Sequence, residues 1–260
     1  MTTSVSLQHF YYTIYICKMQ VFFSYVLCAA APAHNMYTDR SERDEVMTGR
    51  IIDISQEVFS CKVFPGDPKP SGTRLMSMDR GDVCNLTQLS MCAHNGTHVD
   101  APYHFINHGR TIDRMGLEPF VGDCFVARHS GDVTADDARS IMEKAAAAGA
   151  AQRILIAGKA VVTAGAARVF ARDGIMLLGN ESQTVGPEDS PKEVHLILLG
   201  SGAVLLEGIV LSHVEEGRYF LSAAPLDLGG CDGAPCRAYL IGGREQGACR
   251  GTCRGPADSL

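Results

Sequence analysis

The chain has 260 residues, 46% hydrophobic and 20% charged, which is ordinary for a globular enzyme and long enough to bury one large core or two small ones. Its formal charge of −6 supplies no basic stripe, so nucleic acid is excluded as an expected partner. Ten cysteines are many, but their spacings match neither a zinc ribbon nor a small disulfide framework.

Residues 10–33 are apolar and aromatic but interrupted by Lys18, Gln20 and Ser24. That argues against a membrane span, which needs about 20 predominantly apolar residues. Residues 21–31 have the length of a secretory h-region, with Ala31-Pro32-Ala33 as a loose cleavage site, so export is the alternative if residues 19–33 act as a signal. Only Lys18 supplies positive charge there, and domain patterning begins at Ile51. Residues 1–46 are therefore read as an extension, with Met36 or Met47 as the favoured native start. Residues 47–243 are read as the folded domain, and 244–260, rich in Gly and Arg and carrying Cys249 and Cys253, as a disordered tail. Cys61, Cys84, Cys92 and Cys124 lie in or near apolar stretches, where a free thiol behaves as a small hydrophobe. That favours a reducing compartment, and a cytoplasmic location is expected.

Ile51-Ile-Asp-Ile-Ser reads as a strand running into a loop. Pro65-Gly66 carries turn chemistry, and Pro68 and Pro70 prolong the irregular stretch. Residues 123–130 read as a strand. Thr134 as N-cap, Asp136 and Asp137 at the positive end and Gly149 as a stop predict a helix from 134 to 144 or a little beyond. Arg153–Ala157 reads as a strand, Ala164–Arg172 as a helix closed by Gly174, and residues 175–178 as a buried strand. Three strands are then expected in succession, over 195–199, 204–209 and 218–223, with 237–241 closing the sheet. Helices in the middle and strands on both flanks predict an α/β fold, one domain with a mixed sheet or half barrel and a few flanking helices.

The most informative segment is His94-Asn-Gly-Thr-His98-Val-Asp100-Ala-Pro-Tyr-His104, with four metal-binding or proton-carrying groups in eleven residues, all at even positions. Side chains two apart in an extended chain point the same way, so His98, Asp100 and His104 can share one face. Gly96 allows a turn that brings His94 alongside, and Pro102 argues against a helix and for the end or edge of a strand. A catalytic metal usually takes three protein ligands and keeps an open position; His94, His98 and Asp100 meet that count and leave His104 free. Of His108, His129, His195 and His213, His195 stands out because it opens an apolar run. Glu207 interrupts another, where a buried carboxylate needs a partner, and a nearby cation would resolve both oddities.

These residues resemble a family. The segment from His94 to His104 is similar to the His-x-Gly-Thr-His-x-Asp-x-Pro-x-His signature of the cyclase family of metal-dependent hydrolases, which includes kynurenine formamidases and isatin hydrolases. Further anchors follow in order: Asp53-Ile-Ser-Gln, Phe64-Pro-Gly-Asp, Gly179-Asn-Glu-Ser, His195, Leu206-Glu207-Gly208, Ala224-Pro225-Leu226 and Ala234-Pro235-Cys236-Arg237-Ala238. The resemblance implies a compact β/β/α-type domain, assembly into dimers or tetramers, and one or two Zn2+ or Mn2+ ions per subunit. It implies His94, His98 and Asp100 as ligands of a first ion, Asp100 as a bridge, and His195 and Glu207 as the remaining ligands of a second. His104 matches the general acid/base. Phe64 stands where similar formamidases carry a tryptophan against the substrate ring; this sequence has no tryptophan.

The implied reaction is hydrolysis of an amide-type C–N bond of a small molecule by metal-activated water, as in cleavage of N-formylkynurenine to kynurenine and formate. Cyclic amides or lactones of the isatin kind are the alternative substrates, and a catalytically idle metal-binding protein is the alternative class. Serine or cysteine nucleophiles are disfavoured: no Gly-x-Ser-x-Gly elbow exists, and Cys92 reads as core packing. Gly158-Lys159 has no phosphate-loop spacing.

Overall fold

Turn residues and apolar runs divide the chain of the computed structural model, which describes residues 49–242, into strands and helices. β1 (Ile51–Asp53) is followed by β2 (Ser71–Met76), β3 (Leu86–Ser90) and β4 (His98–Asp100). β5 (Val121–Arg128) and β6 (Gly131–Val133) precede α1 (Ala135–Ala147); β7 (Arg153–Ala157) and β8 (Ala160–Val162) precede α2 (Ala164–Arg172). β9 (Leu177–Asn180), α3 (Lys192–Gly200), β10 (Val204–Glu207), β11 (Gly217–Ser222), β12 (Gly233–Pro235) and β13 (Tyr239–Ile241) complete the order. The readings of residues 1–46 and of the tail with Cys249 and Cys253 lie outside the described residues.

Nine strands form one mixed sheet in the order β1-β13-β11-β5-β7-β9-β10-β4-β12. Its centre, β5 to β10, is parallel, and the flanking strands run antiparallel. The α/β mixed-sheet expectation holds. The central strands β7, β9 and β10 are buried at every position, as a parallel sheet covered on both faces requires. Alternate residues feed two cores: Phe125, Ile154, Ile156, Leu178 and Leu205 pack with the helices. Their neighbours Cys124, Val126, Leu155, Leu177 and Leu206 pack with Val99, Ile54 and Phe120 on the other face.

The first helix is capped as its sequence indicates, by a reciprocal Thr134–Asp137 capping box, a feature that contributes about 1 kcal/mol. Thr163 caps α2, and Gly174 turns out of it at φ 73°. The strand expected over 195–199 is instead the helix α3. Pro191 occupies its N-cap, and Val194, His195, Leu198 and Leu199 are buried, an i, i+4 pattern hidden in a run apolar on nearly every side. The parallel β9–β10 pair also demands a crossover, which α3 supplies. Pro102 opens a short 3-10 turn over Pro102–His104, where its missing N–H costs nothing. Strand β4 ends before it, and β4 is no edge, since β10 and β12 pair on its two sides.

The stretch expected to be irregular after Pro70 contains the β2–β3 hairpin, separate from the main sheet. The Pro65-Gly66 turn forms as expected, closed by Asp67 N–H donating to the Phe64 carbonyl. Cys124 is a core residue, but Cys84 is exposed, so the small-hydrophobe reading fails for it. No helix among the described residues is long and apolar enough to cross a membrane.

Candidate metal centre

The site is built by register. In the antiparallel β4–β10 pair, His98 stands opposite Glu207 and Asp100 opposite Leu205, and residues directly opposite share a face. Leu205 packs with the helices, so His98, Asp100 and Glu207 point to the side that α3 covers, and α3 delivers His195 onto them. All four are at least 97% buried as side chains. The turn before β4 is fixed by the residues between the histidines. Gly96 sits at φ 69°, the left-handed region glycine tolerates. Thr97 Oγ1 donates to the Gly208 carbonyl at 2.6 Å, and Asn95 Oδ1 accepts from Cys92 N–H.

Backbone carbonyls set the orientation of the two buried imidazoles. His98 Nδ1 donates to Gly96 O at 2.9 Å and His195 Nδ1 to Pro191 O at 2.8 Å, so both rings turn Nε2 toward the carboxylates. His98 Nε2 lies 3.4 Å from Asp100 Oδ1 and 3.5 Å from Glu207 Oε2; His195 Nε2 lies 3.6 Å from Asp100 Oδ2 and 3.3 Å from Glu207 Oε1. Two nitrogens and two carboxylates thus alternate around a ring. These separations are long for hydrogen bonds. Those among His98, Asp100 and Glu207, whose ligand atoms all lie within 4.8 Å of one another, fit donors sharing one ion, because tetrahedral bonds of about 2.1 Å hold ligands about 3.4 Å apart. His195 faces the opposite oxygens of the same two carboxylates. Asp100 Oδ2 is buried with no hydrogen-bond partner, the orphaned acceptor a cation would satisfy. The residues present therefore fit a divalent cation.

Charge balance agrees. Burial works against a charge on His98, but its contacts with Asp100 and Glu207 outweigh that and push its pKa up to about 10. Burial likewise opposes a charge on His195, and Glu207 overrides it, raising the pKa. Asp100 is held well below the usual carboxylate range: desolvation resists, and contacts with His94 and His98 prevail. Two buried carboxylates require positive charge beside them, from imidazolium or from a metal.

A second group lies outward of the first. His94, Asp100 and His104 bring ligand atoms within 4.8 Å of one another, as do His98, Asp100 and Glu207, so Asp100 belongs to both. His94 Nδ1 contacts Asp100 Oδ1 at 2.8 Å, and its ring stacks on His104 at 3.9 Å between centroids. His104 is the most open of the four imidazoles, 27% exposed, reached through the 3-10 turn instead of an extended strand. Asp232, which sequence reasoning missed, places Oδ2 2.9 Å from His94 Nε2 and 3.1 Å from His104 Nδ1. Burial opposes a charge on His94, and Asp100 and Asp232 together raise its pKa to about 9. Phe105, also missed, stacks on His195 at 4.3 Å and meets His104 edge-on.

The family model described as "Putative cyclase" matches residues 31–185. The chain is 32% identical over 208 residues to a kynurenine formamidase of Erythrobacter litoralis (strain HTCC2594), covering 74% of this chain and 93% of that protein. It belongs to the cyclase family of metal-dependent hydrolases. A solved structure described as a potential metal-dependent hydrolase with cyclase activity superposes with a TM-score of 0.65 at 26% identity, covering 75% of this chain and 98% of that one. Isatin hydrolase A from Labrenzia aggregata shares the fold, with a TM-score of 0.64 at 21% identity over 75% and 94% of the two chains.

Phe64 is half-buried in the turn before Pro68, whose carbonyl accepts from Asn95 Nδ2 at 3.3 Å, tying that loop to the residue after His94. The Gly179-Asn-Glu-Ser anchor ends β9, and Glu181 braces two loops by accepting from Gly158 and Leu211 N–H. His129, half-buried, and His213, exposed, bond to the carbonyls of Asp132 and Asp53, apart from the cluster. Cys92 is half-buried, a partial fit to core packing.

Proposed function

We propose that this cyclase-family hydrolase cleaves the C–N bond of a small aryl formamide, in the manner of N-formylkynurenine going to kynurenine and formate. The observation that carries this reading is the ring of His98 Nε2, Asp100, His195 Nε2 and Glu207 with an orphaned Asp100 oxygen. His94, His98, Asp100, His195 and Glu207 would hold one or two ions, with Asp100 common to both candidate groups. A divalent ion supplies Lewis acidity that makes water nucleophilic near neutral pH and counters charge on the carbonyl oxygen. His104, off the inner ring and partly open, accepts the proton of the attacking water and returns it to the leaving nitrogen. Phe64 lines the substrate ring from the adjoining loop.

A formamide is favoured over a lactam because the formamidase relative is 32% identical and the isatin hydrolase 21%. Assembly into a homodimer or tetramer is part of the same reading. The β2–β3 hairpin exposes Leu75, Val83, Leu86 and Leu89, and an isolated two-stranded sheet is marginal in water unless something packs on it. The test is formate release from N-formylkynurenine, with isatin in parallel, with and without chelator. Turnover that chelator abolishes and zinc or manganese restores is expected. Bound metal without chelator-sensitive hydrolysis of either compound would support the idle metal-binding protein instead.

A further inference from the structure

The Asp232 carboxylate is placed by strand register. Asp232 immediately precedes β12, whose Gly233 and Ala234 stand opposite Asp100 and Val99 of β4. Ala101 N–H donates to the Asp232 carbonyl at 2.9 Å, so the backbone at Asp232 is clamped across from the ligand strand. A Cβ at Gly233 would come within 2.7 Å of His94 Cε1 and 2.6 Å of Val99 O. Glycine there is what lets the His94 ring close onto the strand. The result is one carboxylate oxygen shared by two stacked imidazoles, His94 Nε2 at 2.9 Å and His104 Nδ1 at 3.1 Å.

We propose that Asp232 is a positioning residue, accepting the Nδ1 proton of His104 so that the neutral ring keeps its Nε2 lone pair free as the base. The inference rests on His104 acting as acid/base. An ionised carboxylate only accepts hydrogen bonds, so a neutral imidazole bonded to it through Nδ1 carries its proton there. The same oxygen orients His94 from the side opposite Asp100, the arrangement in which a ligating histidine donates its other N–H to a carboxylate. Asp232 therefore ties the tautomer of the proton carrier to the orientation of a candidate ligand, and touches neither substrate nor reacting atoms.

The decisive experiment has two readouts on zinc-loaded protein at saturating metal. Nitrogen-15 NMR of the imidazoles is expected to show neutral His104 protonated at Nδ1 in the wild type and at Nε2 in Asp232→Asn. Replacing the carboxylate of an Asp–His pair by an amide costs up to about 10⁴ in kcat through the wrong tautomer. For Asp232→Asn, kcat on the formamide is accordingly expected to fall about 10²–10⁴-fold, with KM changing less than about threefold. Wild-type His104 protonated at Nε2 overturns the proposal, as does a variant within threefold of wild-type kcat. The wild-type tautomer decides even if the variant does not fold. Absence of chelator-sensitive turnover in the wild type would sink the hydrolase reading separately, leaving the tautomer result intact.

Discussion

His98 and Glu207 stand opposite each other across the β4–β10 pair with Nε2 3.5 Å from Oε2, buried and too far apart to satisfy one another. His195 repeats the relationship from α3, 3.3 Å from the other oxygen of Glu207. Strand pairing and one helix crossover thus gather two imidazoles around two buried carboxylates, for which positive charge is the complement.

Metal-free protein should lose stability at alkaline pH. A histidine whose folded pKa lies above its unfolded value of about 6.5 adds stability that is complete below that value and lost as pH rises through the folded pKa. For His94 that upper limit is about 9 and for His98 about 10. Asp100, held low, adds stability present above the ordinary carboxylate range and lost in acid. Melting temperature of the chelated protein should therefore fall between pH 6.5 and 10. The zinc-loaded protein should not follow it, because metal ligation requires neutral imidazoles. Parallel curves in calorimetry would contradict this.

His104→Ala should retain metal and lose about 10²–10⁴-fold in kcat, the range typical of a general acid/base. Metal analysis and steady-state rates on one preparation check both halves. A rate near wild type would remove His104 from the reaction.

Gly233→Ala should both destabilise and impair. The added methyl would meet Val99 O and His94 Cε1 at 2.6 and 2.7 Å. Strain of about 1–3 kcal/mol is expected, with a drop in turnover as His94 is displaced. Thermal melting and rates measured together check this, and an unchanged variant would mean β12 yields without moving His94.

Much of the fold was legible where local chemistry was unambiguous. Thr134 with Asp137, Thr163 with Gly174, and the apolar run of Arg153–Ala157 each announced their element. The helix α3 was not legible, because His195-Leu-Ile-Leu-Leu has no polar face to mark its period. The hairpin was hidden because both of its faces are exposed, so no apolar alternation marks the strands. In the site, the His94–His104 spacing was visible because its members are neighbours in sequence, and His195 and Glu207 because each interrupts an apolar run. Asp232 gave no such contrast, being an acid among glycines in a loop. Its one signal was adjacency to the Ala234-Pro235-Cys236-Arg237-Ala238 anchor.

Leu89→Asp should change assembly without touching the metal centre. Leu89 is 60% exposed on the hairpin, and a charge there opposes burial against a second copy. Analytical ultracentrifugation should show wild-type dimers or tetramers and a smaller variant species; a monomeric wild type would end this expectation.

The most direct measurement is anomalous diffraction from crystals of the zinc-loaded protein, paired with metal content of Glu207→Gln. A peak about 2.0–2.2 Å from His98 Nε2, Asp100 and Glu207 is expected, with metal lost from the variant on dialysis. An ion bound elsewhere, or full occupancy without the Glu207 carboxylate, would contradict the account.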